Sequence, residues 1–328
     1  MTAETAVPTD MLDRVSESLL VVGAPRSGTT WVGRVLEQTE NVTFVGEPDS
    51  EHKEPFALEA KHGLGTFPLL VPGDRAPAYE TLWARALSGH LRSRSLDQRA
   101  AGRFLRNEEL SRVHEAIDIH DPRLTPRLRL VRLLARTPST QHPGRRAVVK
   151  SVFVALCLDW LLSTFPEVET LIVERNPLNV LASWVALGFT PYSFHQDRRL
   201  RELVLEPLDL PQYPAGASPV EAMAWQVGVL QAVLTDVAER RPEIKVVRHE
   251  ELVVDPESAY KELSARVGLV WTDKTQDFLM QSNVPGTGYE PKRDLQQQQD
   301  PDRWKKRLTE QQVEEITGVL SRFPRSLV

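Results

Sequence analysis

The amino-acid sequence predicts an α/β protein with a central, mostly parallel sheet and helices on both faces. Short apolar runs alternate with longer segments of helical periodicity, as in strands joined by crossover helices. The run from Leu19 to Val22 is apolar at every position, which is typical of a strand buried on both faces. A chain of 328 residues, 41% of them hydrophobic and 26% charged, is long enough to bury a large core.

Each predicted strand is a short apolar run that stops at a turn or a charged residue. The five runs cover residues 19–22, 41–45, 147–150, 168–174 and 244–248. Apolar spacing and capping signals predict helices between them. These helices cover residues 29–36, 79–96, 105–117, 128–134, 152–165, 177–184, 219–240, 256–267 and 273–280, with a last helix after Thr309. Residues 188–218 are rich in Pro, aromatic and charged residues, and we predict a long loop or lid there.

Charge, cysteine content and hydropathy exclude several classes of protein. The formal net charge of −5 does not indicate nucleic acid as a partner. Cys157 is the single cysteine, so the chain forms no internal disulfide and suits a reducing compartment. Residues 1–17 lack the basic and then apolar order of a secretion signal, and no apolar run reaches about 18 residues. We therefore predict a soluble, cytoplasmic protein without a membrane span.

A Gly/Pro turn follows the first strand and leads directly into a helical segment. Gly23 and Gly28 have the spacing of a P-loop, but Thr29 stands where its lysine is expected. Arg26 is the only cation in the turn. Because glycines let backbone N–H groups approach oxyanions and a helix N-terminus adds a favourable field, the layout predicts a phosphate cradle. A kinase without the lysine would lack its charge on the β- and γ-phosphates.

The residues from Pro25 to Trp31, Pro-Arg-Ser-Gly-Thr-Thr-Trp, resemble the 5′-phosphosulfate loop of sulfotransferases that use 3′-phosphoadenosine 5′-phosphosulfate (PAPS). Arg175-Asn176-Pro177, followed by Ser183, resembles the 3′-phosphate motif of that family, where a guanidinium and a hydroxyl bind phosphate oxygens. The resemblance implies a P-loop-like fold that holds a nucleotide at both ends. It assigns cofactor binding to Arg26, Ser27, Gly28, Thr29, Thr30, Trp31, Arg175 and Ser183.

Two later segments extend the resemblance. Residues 246–256 resemble the family's strand-and-turn motif, to which we assign no chemistry. Residues 302–309, Asp-Arg-Trp-Lys-Lys-Arg-Leu-Thr, resemble the Trp-Lys segment that follows the family's 3′-phosphate loop. By this resemblance Lys292 and Arg293 are candidates for reaching the 3′-phosphate, although the Arg-Lys-Gly of the cytosolic branch is absent.

The predicted catalytic residues also follow from the resemblance. Lys150 ends the third strand and resembles a lysine near the transferred group in the cytosolic branch, but the histidine base of that branch is replaced by Val152. The carbohydrate- and tyrosine-modifying branches are closer, because they have a Glu just after the second strand, as Glu47 is here. We predict Arg26 and Lys150 as catalytic cations and Glu47 as the base, with His52 as the second candidate. Burial beside a bound acceptor can raise the pKa of a Glu toward neutrality.

We predict a single sulfotransferase-like domain over residues 1–328. Residues 15–56 carry the 5′-phosphosulfate loop and the base, residues 57–147 form a helical insertion, and residues 148–328 complete the sheet, the 3′-phosphate site, the lid and the C-terminal helix. Between Arg85 and Arg146 the chain has 14 arginines, no lysine and 6 acidic residues. Solvated helix faces are the first interpretation of this segment, and a surface for an anionic acceptor or membrane is the second.

The function implied is transfer of a sulfuryl group from PAPS to an acceptor hydroxyl of a carbohydrate, glycolipid or secondary metabolite. The spent product is 3′-phosphoadenosine 5′-phosphate (PAP). We expect no metal, because the 8 histidines lack metal-ligand spacing, and the sequence does not determine the oligomeric state. The alternatives are a metal-dependent P-loop kinase or nucleotide hydrolase, and a non-catalytic PAP-binding protein.

Overall fold

Five strands form the sheet of this protein, for which a computed structural model describes residues 15–54, 56–91, 125, 126, 129, 146–282, 300 and 302–324. They are β1 (Leu19–Val22), β2 (Val42–Gly46), β3 (Arg146–Ser151), β4 (Glu169–Glu174) and β5 (Lys245–Arg248). Each agrees with a predicted strand to within one residue at either end, which is the usual uncertainty of such boundaries.

The strand order in the sheet is β2-β3-β1-β4-β5. β2 and β3 pair in parallel with Gly46 opposite Lys150. β4 and β5 also pair in parallel, with Glu174 opposite Arg248. The predicted α/β fold with a mostly parallel sheet is therefore confirmed, and within each of these two pairs the carboxyl ends of the strands are aligned.

Helices follow the strands in the alternation that the sequence predicts. They are α1 (Thr29–Leu36), α2 (Phe56–Ala60), α3 (Pro77–Leu87), α4 (Leu158–Thr164), α5 (Pro177–Ala186), α6 (Pro219–Arg240), α7 (His249–Val254), α8 (Pro256–Arg266), α9 (Asp273–Gln281) and α10 (Glu310–Leu320). Short 3₁₀ turns cover Ala155–Cys157, Phe194–Gln196 and Arg303–Lys306, and a single π-helical turn covers Arg201–Leu205.

The predicted capping residues begin their helices as expected. Ser218 and Thr309 each form a complete capping box, with Glu221 and Gln312 as the respective partners. Asn176 caps α5 by accepting a hydrogen bond from the backbone N–H of Leu178. These side chains satisfy N–H groups that have no partner within the helix, which is why the helix starts are legible from sequence.

Four helix or loop predictions differ from the structure. The helix predicted over residues 79–96 ends at Leu87, and the one predicted over residues 152–165 is a 3₁₀ turn followed by the shorter α4. The predicted loop over residues 188–218 contains two helical turns, because apolar residues within it, such as Phe194, Leu200 and Leu205, are buried. The strand-and-turn motif forms α7 directly after β5. The helix predicted over residues 105–117 lies outside the described residues; of the one predicted over residues 128–134 only Arg129 is described, and it is helical.

The chain divides into two compact units. Unit 1 comprises Met1–Leu20 and Asn41–Glu169, and unit 2 comprises Val21–Glu40 and Thr170–Val328. In unit 1, Tyr79 stacks on Trp160 with ring centroids 5.6 Å apart. In unit 2, α6 packs against α5 and α10, and Gly228 of α6 lies directly against the ring of Phe323. Each unit therefore has an aromatic and aliphatic core of its own; the single-domain assignment stays a prediction.

Candidate active site

The turn between β1 and α1 is shaped by two glycines that leave no room for a side chain. Gly28 has a φ of 104° and forms the N-cap of α1 without a side-chain hydrogen bond. A Cβ atom at Gly28 would lie 2.6 Å from Nδ1 of His249, and one at Gly23 would lie 2.6 Å from the carbonyl oxygen of Val173. Since no side chain caps α1, its first N–H groups retain the capacity to bind an oxyanion.

Ser27 contributes a buried hydroxyl to the same turn. The residue is 1% exposed, and its Oγ atom lies 2.4 Å from the position that a Cβ of Gly23 would take. Among the residues that the structure describes, this hydroxyl has no hydrogen-bond partner. A buried hydroxyl without a partner costs about 1–3 kcal/mol, so it is a donor suited to a ligand atom.

Three residues of the two predicted phosphate motifs meet in unit 2, and we call Arg26, Arg175 and Ser183 the anchor cluster. The Nε atom of Arg26 donates to the hydroxyl of Ser183 over 3.0 Å. The Nη1 atom of Arg175 donates to the backbone carbonyl of Arg26, also over 3.0 Å. Trp184, which follows Ser183, donates from its indole nitrogen to the carbonyl of Pro25 at 2.9 Å. The turn after β1 and the first part of α5 are therefore joined at the residues predicted to hold the two phosphates.

Two side chains that the motifs do not include hold the chain between β4 and α5. Gln231 of α6 donates to the carbonyl oxygen of Arg175 at 2.7 Å. Glu250 of α7 accepts the backbone N–H of Asn176 at 3.0 Å. These bonds fix the backbone from which the Arg175 guanidinium extends. Nothing in the local sequence reveals them, since their partners lie 56 and 74 positions away.

The other predicted cofactor residues occupy different environments. Thr29 is buried and Thr30 is exposed at the start of α1. Trp31 is 1% exposed and packs against Phe278, with ring centroids 5.9 Å apart, so its indole is part of the core of unit 2. The Arg303–Lys306 turn packs against α5. Lys292 and Arg293 lie outside the described residues, and their role stays a prediction.

In unit 1 the predicted base and the predicted lysine form an ion pair. The carboxylate of Glu47, directly after β2, pairs with Nζ of Lys150 and also with Nζ of Lys53. The backbone N–H of Glu47 donates to the carbonyl of Lys150, which continues the β2–β3 ladder by one residue. The side chain of Lys150 is 3% exposed and that of Glu47 14%, whereas Lys53 is 49% exposed. His52 is exposed as well.

The electrostatics of this pair differ from the expectation for Glu47. Burial raises the pKa of Glu47, but attraction to Lys150 and Lys53 outweighs it and brings the pKa from 4.5 down to about 2. For Lys150, burial lowers the pKa and the neighbouring Glu47 raises it, with a lowered pKa as the net result. Lys150 and, less strongly, Lys53 therefore lower the pKa of Glu47 in this arrangement; the rise expected beside a bound acceptor stays a prediction.

The structure also brings a buried carboxylate next to the pair. Asp49 accepts hydrogen bonds from Oγ of Ser151 at 2.7 and 2.9 Å. Asp49 stands two positions after Glu47, and Ser151 one position after Lys150. Their place at the ends of β2 and β3 was a signal that the sequence analysis did not use.

Two findings on the described residues concern metals and membranes. They include no group of three or more His, Cys, Asp or Glu side chains that could hold a metal ion. None of their helices combines the length and apolar character that crossing a bilayer requires.

Comparison with solved structures returns sulfotransferases of low sequence identity. A sulfotransferase domain from the curacin biosynthetic pathway is 12% identical, with 93% of this chain and 97% of that chain covered and a TM-score of 0.45. The sulfotransferase from Alicyclobacillus acidocaldarius is 17% identical, with 94% of this chain and 98% of that chain covered and a TM-score of 0.37. Mouse sulfotransferase SULT7A1 complexed with PAP is 13% identical, with 97% of this chain and 90% of that chain covered and a TM-score of 0.40.

Comparison with curated proteins returns no match. The family model described as "Sulfotransferase family" matches residues 18–273. This range is well over half of the chain, and it includes the glycine turn, the Glu47–Lys150 pair and the anchor cluster. The chain therefore belongs to the sulfotransferase family and is a sulfotransferase enzyme.

Proposed function

We propose that this enzyme transfers a sulfuryl group from PAPS to the hydroxyl of a carbohydrate, glycolipid or secondary metabolite. The observation that carries the proposal is the anchor cluster, in which residues from two motifs 157 positions apart are in direct contact. A donor with phosphates on the 3′ and 5′ positions of one ribose requires two such anchors close together. Two anchors far apart would have excluded a single nucleotide.

The groups present fit a nucleotide of this kind. Within the described part of the chain, the turn offers an α1 N-terminus without a side-chain cap and a Ser27 hydroxyl without a hydrogen-bond partner. Arg26, Arg175 and Ser183 add two guanidinium groups and a hydroxyl, all hydrogen-bond donors. When bound, PAPS supplies an activated sulfuryl group and leaves as PAP.

The residues of unit 2 bind and orient the donor in this proposal. Arg26, Thr29, Thr30 and the amides of the turn hold the 5′ end, where the helix N-terminus favours negative charge. Arg175 and Ser183 hold the 3′-phosphate, which a guanidinium can bind with two parallel hydrogen bonds. Lys292 and Arg293 are the further candidates for that phosphate.

The residues of unit 1 move the proton and supply a second cation. Lys150 is buried and paired, so its charge is available to stabilise an oxyanion without reorganisation. Glu47 takes the proton of the acceptor hydroxyl. With a pKa of about 2 it is always ionised but weakly basic. An acceptor that displaces the half-exposed Lys53 would remove one of the two charges that lower this pKa. His52 stays the second candidate for the base.

Calorimetry with PAP, AMP and ATP, each with and without Mg²⁺, tests the donor assignment. We expect selective, metal-independent binding of PAP. Arg175→Gln should weaken PAP binding about 10- to 100-fold, since a hydrogen bond to a charged group is worth about 1.5–3 kcal/mol. AMP binding should fall less than PAP binding, because AMP lacks the 3′-phosphate and depends on Arg175 only through its hydrogen bond to the carbonyl of Arg26.

Arg240→Gln is the matched control, because Arg240 is an exposed arginine paired with Asp236 along α6. Its affinity for PAP should equal that of the wild type. Tight binding of ATP only with Mg²⁺ would instead favour a P-loop kinase. PAP binding without any turnover of PAPS, in a panel of hydroxyl acceptors, would favour a non-catalytic binding protein.

A further inference from the structure

A buried carboxylate lies in unit 1 beside the Glu47–Lys150 pair. Asp49 is fully buried, and Ser151 donates to both of its carboxylate oxygens. Lys61, also 0% exposed, donates to the backbone carbonyl of Asp49 at 3.1 Å and pairs with Glu51 at 2.9 Å. The hydroxyl of Tyr79 lies 3.4 Å from Asp49 Oδ2. Asp49 is thus held from its side chain and from its backbone.

These contacts fix the two short chain segments that carry the predicted catalytic groups. The backbone N–H of Phe153 donates to Oγ of Ser151 at 3.1 Å, so the chain after Lys150 turns around the hydroxyl that binds Asp49. On the other side of Asp49, Glu47 is bonded through its backbone to Lys150. The ends of β2 and β3 are therefore tied twice, once by backbone and once through Asp49 and Ser151.

Burying a charged carboxylate to make this connection costs free energy that a neutral side chain would not cost. Burial raises the pKa of Asp49 to about 6, against the opposing effects of Lys61 and Ser151 and with a further rise from Glu51. An Asn at this position would accept the same Ser151 hydrogen bond without the cost of burying a charge. The negative charge acts on Lys150, since Asp49 is among the groups that favour the charged form of that lysine.

We propose that Asp49 is a positioning residue for the Glu47–Lys150 pair, which aligns the end of β3 through Ser151 and places a buried carboxylate near Lys150. This inference rests on the proposed function, because it assumes that Lys150 acts as a cation.

The buried thiol of Cys157 lies near the same cluster, 4.0 Å from the Tyr79 hydroxyl. Burial raises the pKa of that thiol, so it stays neutral and adds no competing charge.

The test measures PAP released from PAPS with 4-nitrophenol, N-acetylglucosamine, glucose 6-phosphate, 1-octanol or water as acceptor, using the best of these for all variants. Asp49→Asn should lower kcat roughly 10- to 100-fold with little change in the KM for PAPS, as expected when a catalytic group is slightly misplaced. The alkaline limb of its kcat–pH profile should move to lower pH, because Lys150 loses its proton more readily. Ser151→Ala should lower kcat without moving that limb.

Thermal unfolding from pH 4 to pH 8 gives a readout independent of activity. The pKa of Asp49 rises on folding from 3.8 to about 6, so the folded state binds more protons between these values. The stability that this group adds is present below about 3.8 and is lost as the pH rises to about 6. The Asn side chain of the Asp49→Asn variant does not titrate. The Tm of the variant minus the Tm of the wild type should therefore increase as the pH rises from 4 to about 6.

Asp74→Asn is the matched control, because Asp74 holds a turn of the same unit through the N–H of Val71. It should keep wild-type kcat and a wild-type alkaline limb. Wild-type kcat and pH profile in Asp49→Asn would overturn the inference, as would a loss of activity that only follows the unfolded fraction. Undiminished turnover in Glu47→Gln would overturn the proposed role of Glu47 instead, and the two failures are thereby distinguishable.

Discussion

At the scale of single residues, two predicted catalytic side chains extend from left-handed backbone. Arg26 has a φ of 76° and Glu47 a φ of 56°. Such a conformation costs a residue other than glycine about 1–3 kcal/mol, and it persists only where neighbouring contacts impose it. Here the carbonyl of Arg26 accepts from Arg175, and the N–H of Glu47 donates to Lys150. The strain lies at the two positions where we assign charge stabilisation and proton transfer.

Lys53→Gln should make Glu47 a stronger base. Removing one of the two lysines that lower the pKa of Glu47 should raise that pKa from about 2, while Lys150 stays in place. The acid limb of the kcat/KM–pH profile should therefore move to higher pH, with kcat at pH 7.5 equal to or above that of the wild type.

Lys261→Gln is the control for this change, because Lys261 is a similarly exposed lysine, 45%, paired with a carboxylate, Glu257. Its profile should coincide with that of the wild type. If Lys53→Gln also coincides with the wild type, Glu47 is not the group that sets the acid limb. A loss of turnover in His52→Ala would then favour His52 as the base.

At the scale of elements, the close packing of the glycine turn against α7 shapes the turn in which we predict the phosphate cradle. The imidazole of His249 is 1% exposed and lies directly beneath Gly28. The same turn is connected to α5 through Pro25 and Trp184. The cradle is thus supported by two helices that follow it by well over a hundred residues.

Gly28→Ala should destabilise the fold and weaken PAP binding. Left-handed backbone costs an alanine about 1–2 kcal/mol, and the Cβ placed 2.6 Å from Nδ1 of His249 should add roughly 1–3 kcal/mol of overpacking. The free energy of unfolding from urea titration measures both effects.

Gly188→Ala separates these two costs. Gly188 has a φ of 63°, and no atom of the residues that the structure describes lies within 4 Å of where its Cβ would be. It should show the backbone cost alone and keep its affinity for PAP. Equal destabilisation of the two variants would mean that His249 yields to the added methyl group, and that the close contact does not shape the turn.

At the scale of the whole molecule, the two groups of predicted site residues belong to different compact units. The anchor cluster lies entirely in unit 2, and the Glu47–Lys150 pair with Asp49 lies entirely in unit 1. In our proposal, donor binding falls to residues of unit 2 and acceptor deprotonation to residues of unit 1. We expect that a ligand with one phosphate and a ligand with two will act on unit 2 in different ways.

Hydrogen exchange with PAP and with AMP tests this assignment across the chain. PAP should slow exchange in residues 23–31 and in residues 175–183, since binding stabilises the segments that it contacts. AMP should protect the first segment and leave the second near its unliganded rate, because it has no 3′-phosphate. Equal protection of residues 175–183 by both ligands would contradict the role of Arg175 and Ser183.

Most of the fold could be predicted from the sequence, because the apolar runs and helix caps that indicate it are local. Apolar runs located all five strands to within a residue, and Ser218, Thr309 and Asn176 marked helix starts through hydrogen bonds that span two or three positions. The residues after Leu187 were harder, because burial of Phe194 and its neighbours depends on packing against Trp225 of α6. Their spacing alone does not reveal that contact.

The glycine turn and the family were likewise predictable from residues close together in sequence, since a glycine turn between a strand and a helix has few possible geometries. The electrostatics of the site could not be predicted from residues close together in sequence. Whether Glu47 is a strong or a weak base depends on Lys150, 103 positions away, and on the side chain of Lys53. The connection of Asp49 to Ser151 spans 102 positions. Burial and charge pairing are properties of neighbours in space, so the pKa values and the support of the site followed only from the folded arrangement.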